Sequence, residues 1–463
     1  MTIGHRFNPT ILREYDIRGV VGSTLTPSDA LALGRTLGTI AAAKNGRIAV
    51  VGYDGRTSSP VLEEEMCRGL AACGLYVIRI GLVPTPALYF TSKVLDAAVG
   101  VMITGSHNPP EYNGFKIVMN NRPFFGQEIQ QLQDLAYRGV WINRPGGVIQ
   151  SDSMSAYVAR LLKDHKRGRQ LKVAWDPGNG AAGEATLRLA RGLPGDHVVI
   201  NEKIDGTFPN HHPDPTVEEN LEQLKQTVLE EKCDLGVAFD GDGDRIGVVD
   251  NEGTVIWGDQ LLAILARDVL ANIPGAPVLA DVKASQVLFN EIERLGGKPV
   301  MSPTGHSIIK SKMAETGAPL AGEMSGHVFF ADRYFGFDDA LYAAVRLIGY
   351  LGSQSKSLSE LRQELPSMVN TPEIRVDVSE ERKFDIVSEV KERLAAEGAD
   401  VNDIDGVRVN EGSGWWLIRA SNTQNALVLR CEAENDAELA QLKQRAVQQL
   451  TASGVGIQVE ELG

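Results

Sequence analysis

A sequence of strand, helix and strand occurs three times in the first three quarters of the chain. The opening strands are RIAVVGYD (47–54), LKVAWD (171–176) and PVLADVK (277–283). In each unit a helical stretch and a second strand follow, and a further apolar strand then ends in a Gly-rich polar loop. Such alternation is typical of parallel sheets covered by helices, although the units differ in sequence. We therefore predict three structurally related, mixed α/β domains.

The pattern changes after about residue 366. In ALVLRCEAE (426–434) apolar and polar side chains alternate, which predicts an antiparallel sheet with one buried and one solvated face. The last quarter is therefore predicted to be an α+β domain, which makes an α/β protein of four domains. The predicted domains span residues 1–151, 152–254, 255–366 and 367–463.

The composition narrows the class of partner and the cellular location. The chain has 60 acidic and 46 basic residues and a net charge of −14, which disfavours nonspecific binding to nucleic acid. No apolar run reaches the roughly 18 residues of a membrane span, and MTIGHRFNP lacks the apolar core of a secretion signal. The four cysteines have neither zinc nor disulfide spacing. We expect a soluble, cytoplasmic protein with no nucleic-acid or membrane partner.

The loop Asp240-Gly-Asp-Gly-Asp-Arg245 predicts a metal site. Its glycines let the backbone curl so that three carboxylates converge, and a divalent cation relieves their repulsion. Oxygen ligands favour Mg²⁺ or Ca²⁺. An EF-hand would need Gly at the sixth loop position and Glu at the twelfth, where this chain has Arg245 and Asn251.

The loop Thr104-Gly-Ser-His-Asn-Pro-Pro110 places Ser106 at the end of a buried strand. It does not match the G-x-S-x-G nucleophile elbow, because Asn108 stands at the last position. The residues fit an ordinary turn equally well. Beside a metal loop, a seryl phosphoryl carrier becomes attractive, because phosphoryl transfer needs an oxygen nucleophile, a cation and positioned positive charge.

Two further loops suit a sugar phosphate. Arg419-Ala-Ser-Asn-Thr423 offers a guanidinium and small hydrogen-bonding groups to phosphate oxygens, or is a polar turn. Glu323 and Ser325 in GEMSGH (322–327) can face the same way and hold sugar hydroxyls, or belong to an ordinary loop.

A competing interpretation comes from Gly178-Asn-Gly-Ala-Ala-Gly183. It follows a predicted strand, opens a helix and has Glu202 after the next strand, which is nearly the full dinucleotide-binding pattern. A nicotinamide-dependent oxidoreductase explains this stretch but leaves Ser106 and the aspartates without a role. In the connector that follows, His211 and His212 are interpreted as structural.

Taken together, these loops resemble those of the α-D-phosphohexomutase superfamily, and most closely its bacterial phosphomannomutase/phosphoglucomutase branch. The motifs that carry the resemblance are YDIRG (15–19), TGSHNPPEYNGFK (104–116), DGTFPNHHPDP (205–215), DGDGDR (240–245), TGHS (304–307), GEMSGH (322–327) and RASNT (419–423). The resemblance implies three similar α/β domains and a TATA-binding-protein-like fourth domain around a central cleft. It also implies reversible conversion of hexose 1-phosphate and hexose 6-phosphate, with a hexose 1,6-bisphosphate as intermediate and activator.

The resemblance also implies roles for individual residues. Ser106 would carry the phosphoryl group, and Mg²⁺ would be held by Ser106, Asp240, Asp242 and Asp244. Around that phosphate His107 and Arg245 would lie, and Lys116 and His306 would transfer protons. The sugar would contact Lys283, Glu323, Ser325 and His327. The nonreacting phosphate would bind Tyr15, Arg18, Arg419, Ser421, Asn422 and Thr423.

Two positions bear on the substrate. Glucosamine-phosphate mutases typically carry Gln where this chain has Met324, which favours glucose and mannose phosphates without choosing between them. Relatives often have Pro where this chain has Asn425, and a more flexible phosphate loop would weaken binding. A noncatalytic sugar-phosphate binding protein remains an alternative, and the oligomeric state is open.

Overall fold

A computed structural model of the chain describes residues 4–422 and 424–462. The described residues form four β-sheets, of seven, five, four and six strands in chain order. Helices cover the sheets, and the predicted alternation of strand and helix is confirmed through the first three.

The first sheet lies within residues 1–151, and three of its strand pairs are parallel. Its strands are β1 (Ile17–Val20), β2 (Ile48–Tyr53), β3 (Tyr76–Leu82), β4 (Val99–Ile103), β5 (Tyr112–Met119), β6 (Arg122–Pro123) and β7 (Gly147–Gln150). The helices are α1 (Pro27–Ala43), α2 (Ser59–Ala71), α3 (Thr85–Val94) and α4 (Gln127–Arg138). The strand order is β1-β5-β4-β2-β3-β7, with β6 added to β5.

The second sheet has the order β12-β11-β10-β8-β9. Its strands are β8 (Leu171–Asp176), β9 (Gly195–Val199), β10 (Leu235–Phe239), β11 (Ile246–Asp250) and β12 (Val255–Ile256). The helices of this part are α5 (Met154–Leu162), α6 (Gly183–Gly192) and α7 (Glu222–Glu231). Because β12 pairs with β11, this sheet continues two residues past the predicted boundary at residue 254.

The third sheet has the order β14-β13-β15-β16. Its strands are β13 (Pro277–Asp281), β14 (Lys298–Ser302), β15 (Leu320–Gly322) and β16 (Val328–Phe330). The helices are α8 (Gly258–Asn272), α9 (Gln286–Arg294), α10 (His306–Thr316), α11 (Ala340–Gly352) and α12 (Leu358–Gln363).

The three sheets share one topology. Each contains four consecutive strands, of which the first pairs in parallel with the second and the third, and the third pairs antiparallel with the fourth. The sets are β2 to β5, β8 to β11 and β13 to β16. The hairpin that joins the last two strands is in every case one of the Gly-rich loops of the sequence, at residues 104–111, 240–245 and 323–327. The predicted structural repeat is therefore confirmed, and it places the three loops at equivalent positions.

The fourth sheet is wholly antiparallel. Its strands are β17 (Val369–Asn370), β18 (Ile374–Asp377), β19 (Val401–Asn402), β20 (Val407–Glu411), β21 (Gly414–Ala420) and β22 (Ala426–Ala433), with helices α13 (Glu380–Glu397) and α14 (Asp436–Ala452). One face, with Leu427, Leu429 and Cys431, packs against the helices as predicted.

The prediction of a solvated opposite face is wrong. Val428, Arg430 and Glu432 are at most 3% exposed. Glu432 accepts a hydrogen bond of 2.9 Å from the backbone N–H of Gln286, and Arg408 of β20 donates to the carbonyls of Val282 and Ala284, both at 2.7 Å. The third domain covers this face, so the polar side chains of the alternating pattern lie at a domain interface.

The first three domains share a continuous core, whereas the fourth has its own. Apolar side chains from all three sheets and from α11, which is buried along its whole length, form one cluster. A core shared by three domains favours a fixed arrangement of the three Gly-rich hairpin loops at 104–111, 240–245 and 323–327. Among the described residues, no helix is long and apolar enough to cross a membrane.

Candidate active site

The hairpin after β4 holds Ser106 in a strained turn against the loop after β10. Its side chain is 2% exposed, and its φ of 50° is in the left-handed region, which non-glycine residues adopt rarely and at a cost. Its hydroxyl donates to Asp240 Oδ2 at 2.9 Å and lies 3.2 Å from Nδ1 of His107. Burial and neighbouring cations hold the pKa of His107 well below its usual range, so its imidazole is neutral.

Arg56 holds this turn in place. Its guanidinium donates to four backbone carbonyls of the loop, those of Ser106, Asn108, Pro109 and Tyr112, at 2.6–3.0 Å. Arg56 is 1% exposed, and its Nε lies 3.2 Å from Asp54, which also accepts from the N–H of Gly105. The sequence analysis missed this pair. A sequence feature that could have indicated it is the Asp-x-Arg directly after the strand β2. In α/β sheets, ligands bind at the carboxyl ends of the strands.

The three aspartates of the loop after β10 converge as predicted and have the chemistry of a cation site. All three are completely buried. Within the described part of the chain, Oδ1 of Asp242 and Oδ1 of Asp244 have no hydrogen-bond partner. At Gly241 a Cβ would lie 2.3 Å from the carbonyl oxygen of Ser106, so only glycine lets the two loops meet. Buried carboxylate oxygens without partners fit a hard divalent cation such as Mg²⁺.

Lys116 of β5 supplies positive charge to the same cluster. Its Nζ lies 2.7 Å from Asp242 Oδ2 and 2.5 Å from Asp244 Oδ2. Burial alone would lower the pKa of Lys116, but the aspartates raise it above its ordinary value. The pKa of Asp240 is raised well above its usual range by burial and by the neighbouring carboxylates. Proton transfer by Lys116 would require a lowered pKa, whereas this arrangement raises the pKa of Lys116.

The loop after β15 places His327 beside Arg245. Nε of Arg245 donates to Nε2 of His327 at 3.0 Å. Because a guanidinium can only donate, the hydrogen of a neutral His327 lies on Nδ1, which is 3.1 Å from Oδ2 of Asp338. Asp338 therefore lies beside His327, although residue 338 belongs to no motif recognised in the sequence.

His306 begins α10 and stacks on His327, with ring centroids 5.3 Å apart. Its Nδ1 lies 3.2 Å from the ammonium of Lys310, which donates to Asp338 at 2.8 Å. Burial and the charge of Lys310 lower the pKa of His306, despite the opposing effect of Asp338. A neutral imidazole of this kind is able to accept a proton.

The predicted sugar-binding pair lies next to this histidine. Ser325 donates to Glu323 at 3.3 Å, so the two side chains do face each other. Glu323 also accepts from the N–H of Gly305, at 2.6 Å, which ties the loop to the start of α10. Lys283 forms an ion pair of 2.7 Å with Glu373 of the fourth domain.

The loop between β21 and β22 meets the first domain at Tyr15. The side-chain amide of Asn422 donates to the hydroxyl of Tyr15 at 2.6 Å, and this hydroxyl donates to the carbonyl of Thr304 at 2.8 Å. Arg419 donates to Asp405 at 2.9 Å, and Asp405 accepts from the N–H of Thr304. Residues of the first, third and fourth domains therefore meet beside His306, while the predicted Thr423 lies outside the described residues.

Arg18 is placed differently from the other predicted phosphate-binding residues. Its guanidinium donates to Asn108 at 2.6 Å and pairs with Asp16, so it belongs to the surroundings of the serine loop. The carbonyl of Asn425 accepts from the N–H of Val378 at 3.0 Å, which fixes the end of the fourth-domain loop without a proline.

The space beside the dinucleotide-like stretch at 178–183 is filled by the backbone of the loop at 240–245. At Gly180 a Cβ would lie 2.8 Å from the carbonyl oxygen of Gly241, and the N–H of Ala181 donates to that oxygen at 2.9 Å. A dinucleotide would need this space for its pyrophosphate. The stretch at 178–183 therefore packs against the loop at 240–245 and holds it in place. His211 is structural as interpreted, because it pairs with the buried Asp176 at 2.9 Å.

Comparisons with known proteins agree with this geometry. The chain matches the models of all four phosphoglucomutase/phosphomannomutase domains: α/β/α domain I at residues 9–138, domain II at 155–253, domain III at 257–369 and the C-terminal domain at 373–449. The chain belongs to the phosphoglucomutase/phosphomannomutase family.

A curated relative in the family is the phosphomannomutase/phosphoglucomutase of Pseudomonas aeruginosa, 45% identical over 434 residues, which are 94% of each chain. A family protein of Burkholderia thailandensis has a crystal structure that covers 98% of this chain and 99% of its own, with 40% identity and a TM-score of 0.92. The Aspergillus fumigatus N-acetylphosphoglucosamine mutase, solved in complex with glucose 1,6-bisphosphate, covers 98% and 97% at 14% identity and a TM-score of 0.59, a likeness of fold alone.

Proposed function

We propose that this chain is a phosphohexomutase, which interconverts the 1-phosphates and 6-phosphates of glucose and mannose through a phosphoserine at Ser106. The observation that carries the proposal is the contact between Ser106 and the acid cluster. A buried serine hydroxyl lies 2.9 Å from Asp240, in a cluster whose other carboxylates keep oxygens that have no hydrogen-bond partner among the described residues. A seryl oxygen beside a cation site is what reversible phosphoryl transfer requires.

In the first transfer the bond between phosphorus and Ser106 Oγ breaks, and a new bond forms between phosphorus and a sugar hydroxyl oxygen. The hydroxyl proton passes to a base, for which we propose the neutral His306 rather than Lys116, whose ammonium is paired with Asp242 and Asp244. The resulting hexose 1,6-bisphosphate turns end over end in the cleft. Its other phosphoryl group then returns to Ser106 Oγ, the sugar oxygen takes up a proton, and the isomeric monophosphate leaves.

Mg²⁺ would be held by Asp240, Asp242, Asp244 and the oxygens on Ser106. When bound, it supplies positive charge to the transferring phosphoryl group. Arg245 adds a guanidinium on the same side, and its orientation is fixed by His327 at 3.0 Å.

The sugar and its nonreacting phosphate are assigned to the opposite side of the cleft. We propose that Glu323 and Ser325 bind ring hydroxyls and that Lys283 and His327 line the same pocket. The nonreacting phosphate is assigned to Tyr15, Arg419, Ser421, Asn422 and Thr423 around the fourth-domain loop, and to Arg18, which lies beside the serine loop. We further propose that the enzyme acts in the cytoplasm.

The proposal is tested by ³¹P NMR of the purified protein with glucose 1-phosphate, Mg²⁺ and a trace of glucose 1,6-bisphosphate, without nicotinamide. Growth of the 6-phosphate signal at constant total sugar phosphate is expected, and mannose 1-phosphate is compared in the same way. Binding without conversion would favour the sugar-phosphate binding protein, whereas release of inorganic phosphate would mean that water receives the phosphoryl group.

A further inference from the structure

A buried lysine lies directly beneath the fourth-domain loop. Lys383, in the first turn of α13, is 2% exposed. Its ammonium donates to the carbonyl of Ser421 at 2.7 Å and to that of Gln424 at 3.2 Å, and it pairs with the exposed Glu380 at 2.7 Å. A buried ammonium is costly unless its donors are satisfied, and here the loop backbone supplies two of the three acceptors.

The two carbonyls lie at opposite ends of the short loop, so one cation joins both. The rest of the loop is closed by its own contacts: the N–H of Ser421 donates to the carbonyl of Ala426 at 2.9 Å, and the N–H of Gln424 donates to the Ser421 hydroxyl at 3.1 Å. Lys383 is the contact that ties this closed turn to the helix.

The contact also sets the direction of the backbone N–H groups. In a trans peptide the C=O and the following N–H point in opposite directions, and the described chain has no cis peptide. Because the Ser421 carbonyl points at Lys383, the N–H of Asn422 points away from it. The side chain of Asn422 reaches Tyr15 of the first domain.

We propose that Lys383 is a positioning residue for the nonreacting phosphate: it fixes the loop so that the N–H of Asn422 is presented to a phosphate oxygen, and its charge strengthens the field under that phosphate. This inference rests on the proposed function. It adds a backbone donor and a buried cation to the side chains assigned above, and neither belongs to a motif visible in the sequence.

The test is isothermal titration of glucose 6-phosphate into wild type, Lys383→Met and Lys383→Arg. The control is Lys391→Met on the same helix, whose ammonium forms an exposed ion pair with Asp403. We expect the dissociation constant of Lys383→Met to rise about 10-fold to 100-fold, since charge-assisted contacts are lost. Lys383→Arg should bind within about 3-fold of wild type, because a guanidinium can reach both carbonyls.

Two further readouts separate positioning from general damage. KM should rise in Lys383→Met while kcat at saturating substrate stays within about 3-fold, because the loop acts in binding and not at the reacting atoms. Amide hydrogen exchange should accelerate at residues 421–426 while the loop at 240–245 keeps its protection. Wild-type affinity in a folded Lys383→Met, or an equal loss in Lys391→Met, would overturn the proposal. Failure of the wild-type protein to bind any sugar phosphate would overturn the proposed function as well.

Discussion

The ammonium of Lys116 lies 2.7 Å from Asp242 Oδ2, inside the cluster of carboxylates proposed to hold a metal ion. The lysine comes from β5 and the aspartate from the loop after β10, so the contact joins the first and second domains. In this arrangement the lysine supplies part of the positive charge that the buried carboxylates need.

Replacement of Lys116 by Met should therefore make the protein more dependent on Mg²⁺. Without the ammonium three buried carboxylates repel each other, so the midpoint of thermal unfolding should fall in EDTA by several degrees. Added Mg²⁺ should then raise the midpoint more than in wild type, because the ion relieves a larger repulsion. Differential scanning calorimetry with and without Mg²⁺ measures both, with Lys93→Met on the exposed side of α3 as control. An identical Mg²⁺ effect in all three proteins would contradict this expectation.

Replacement of Ser106 by Ala should nearly abolish turnover and leave substrate binding largely intact, because only the phosphoryl acceptor is removed. Coupled turnover at saturating bisphosphate and titration of glucose 6-phosphate measure the two effects separately. The assignment of Ser106 as the main carrier fails if the variant turns over at the wild-type rate under these conditions.

Replacement of Arg56 by Lys should lower kcat by about 10-fold or more and destabilise the protein. A lysine keeps the charge beside Asp54 but cannot donate to four carbonyls in the planar arrangement of a guanidinium. The strained turn at Ser106 should then relax away from the acid cluster. Steady-state kinetics and the unfolding midpoint measure the change. The exposed Arg68→Lys on α2 is the control, and equal effects of the two substitutions would exclude a specific role for Arg56.

The pair of His211 and Asp176 should give a pH-dependent contribution to stability. Burial alone would lower the pKa of His211, but the hydrogen bond and charge of Asp176 raise it above its ordinary value. A raised pKa means that the folded state binds the proton more tightly. The stabilisation is therefore fully present below the unfolded-state pKa of about 6.5, and it is lost as the pH rises through the folded-state pKa.

His211→Asn should accordingly lower the unfolding midpoint more at pH 6 than at pH 8.5, by about 1–3 °C. The neighbouring His212→Asn, whose side chain is exposed, should show no such dependence. If His211→Asn lowers the unfolding midpoint equally at both pH values, the His211 side chain contributes only packing to stability.

Much of the fold could be read from local pattern. The strand at 171–176 is found as predicted, and β2 and β13 differ from their predicted bounds by one or two residues. The error in the fourth domain has a physical cause. Alternation along β22 shows that its two faces differ, but Arg430 and Glu432 look the same in sequence whether water or another domain covers them.

The residues of the candidate site also fall into two groups, those that the sequence could indicate and those that it could not. Residues in dense motifs, such as Ser106 and Asp240, could be singled out because glycines and polar groups cluster around them. Asp338 and Lys383 could not, because neither belongs to a recognisable motif. Arg56 had one weak signal, the Asp-x-Arg that follows β2, but its contacts with the serine loop are visible only in the structure.

The sequence by itself determined the three repeated α/β units, the fourth domain, the loops that carry chemistry and, through their resemblance, the family. These depend on periodicity and on short-range turn chemistry, which are written along the chain. Only the tertiary structure decided that Lys116 lies among the aspartates, that the loop at 240–245 fills the space beside the Gly180 turn, and that a lysine contacts the fourth-domain loop. Those features depend on which distant segments share the same buried space, and charge and hydrogen-bond satisfaction are settled there by packing.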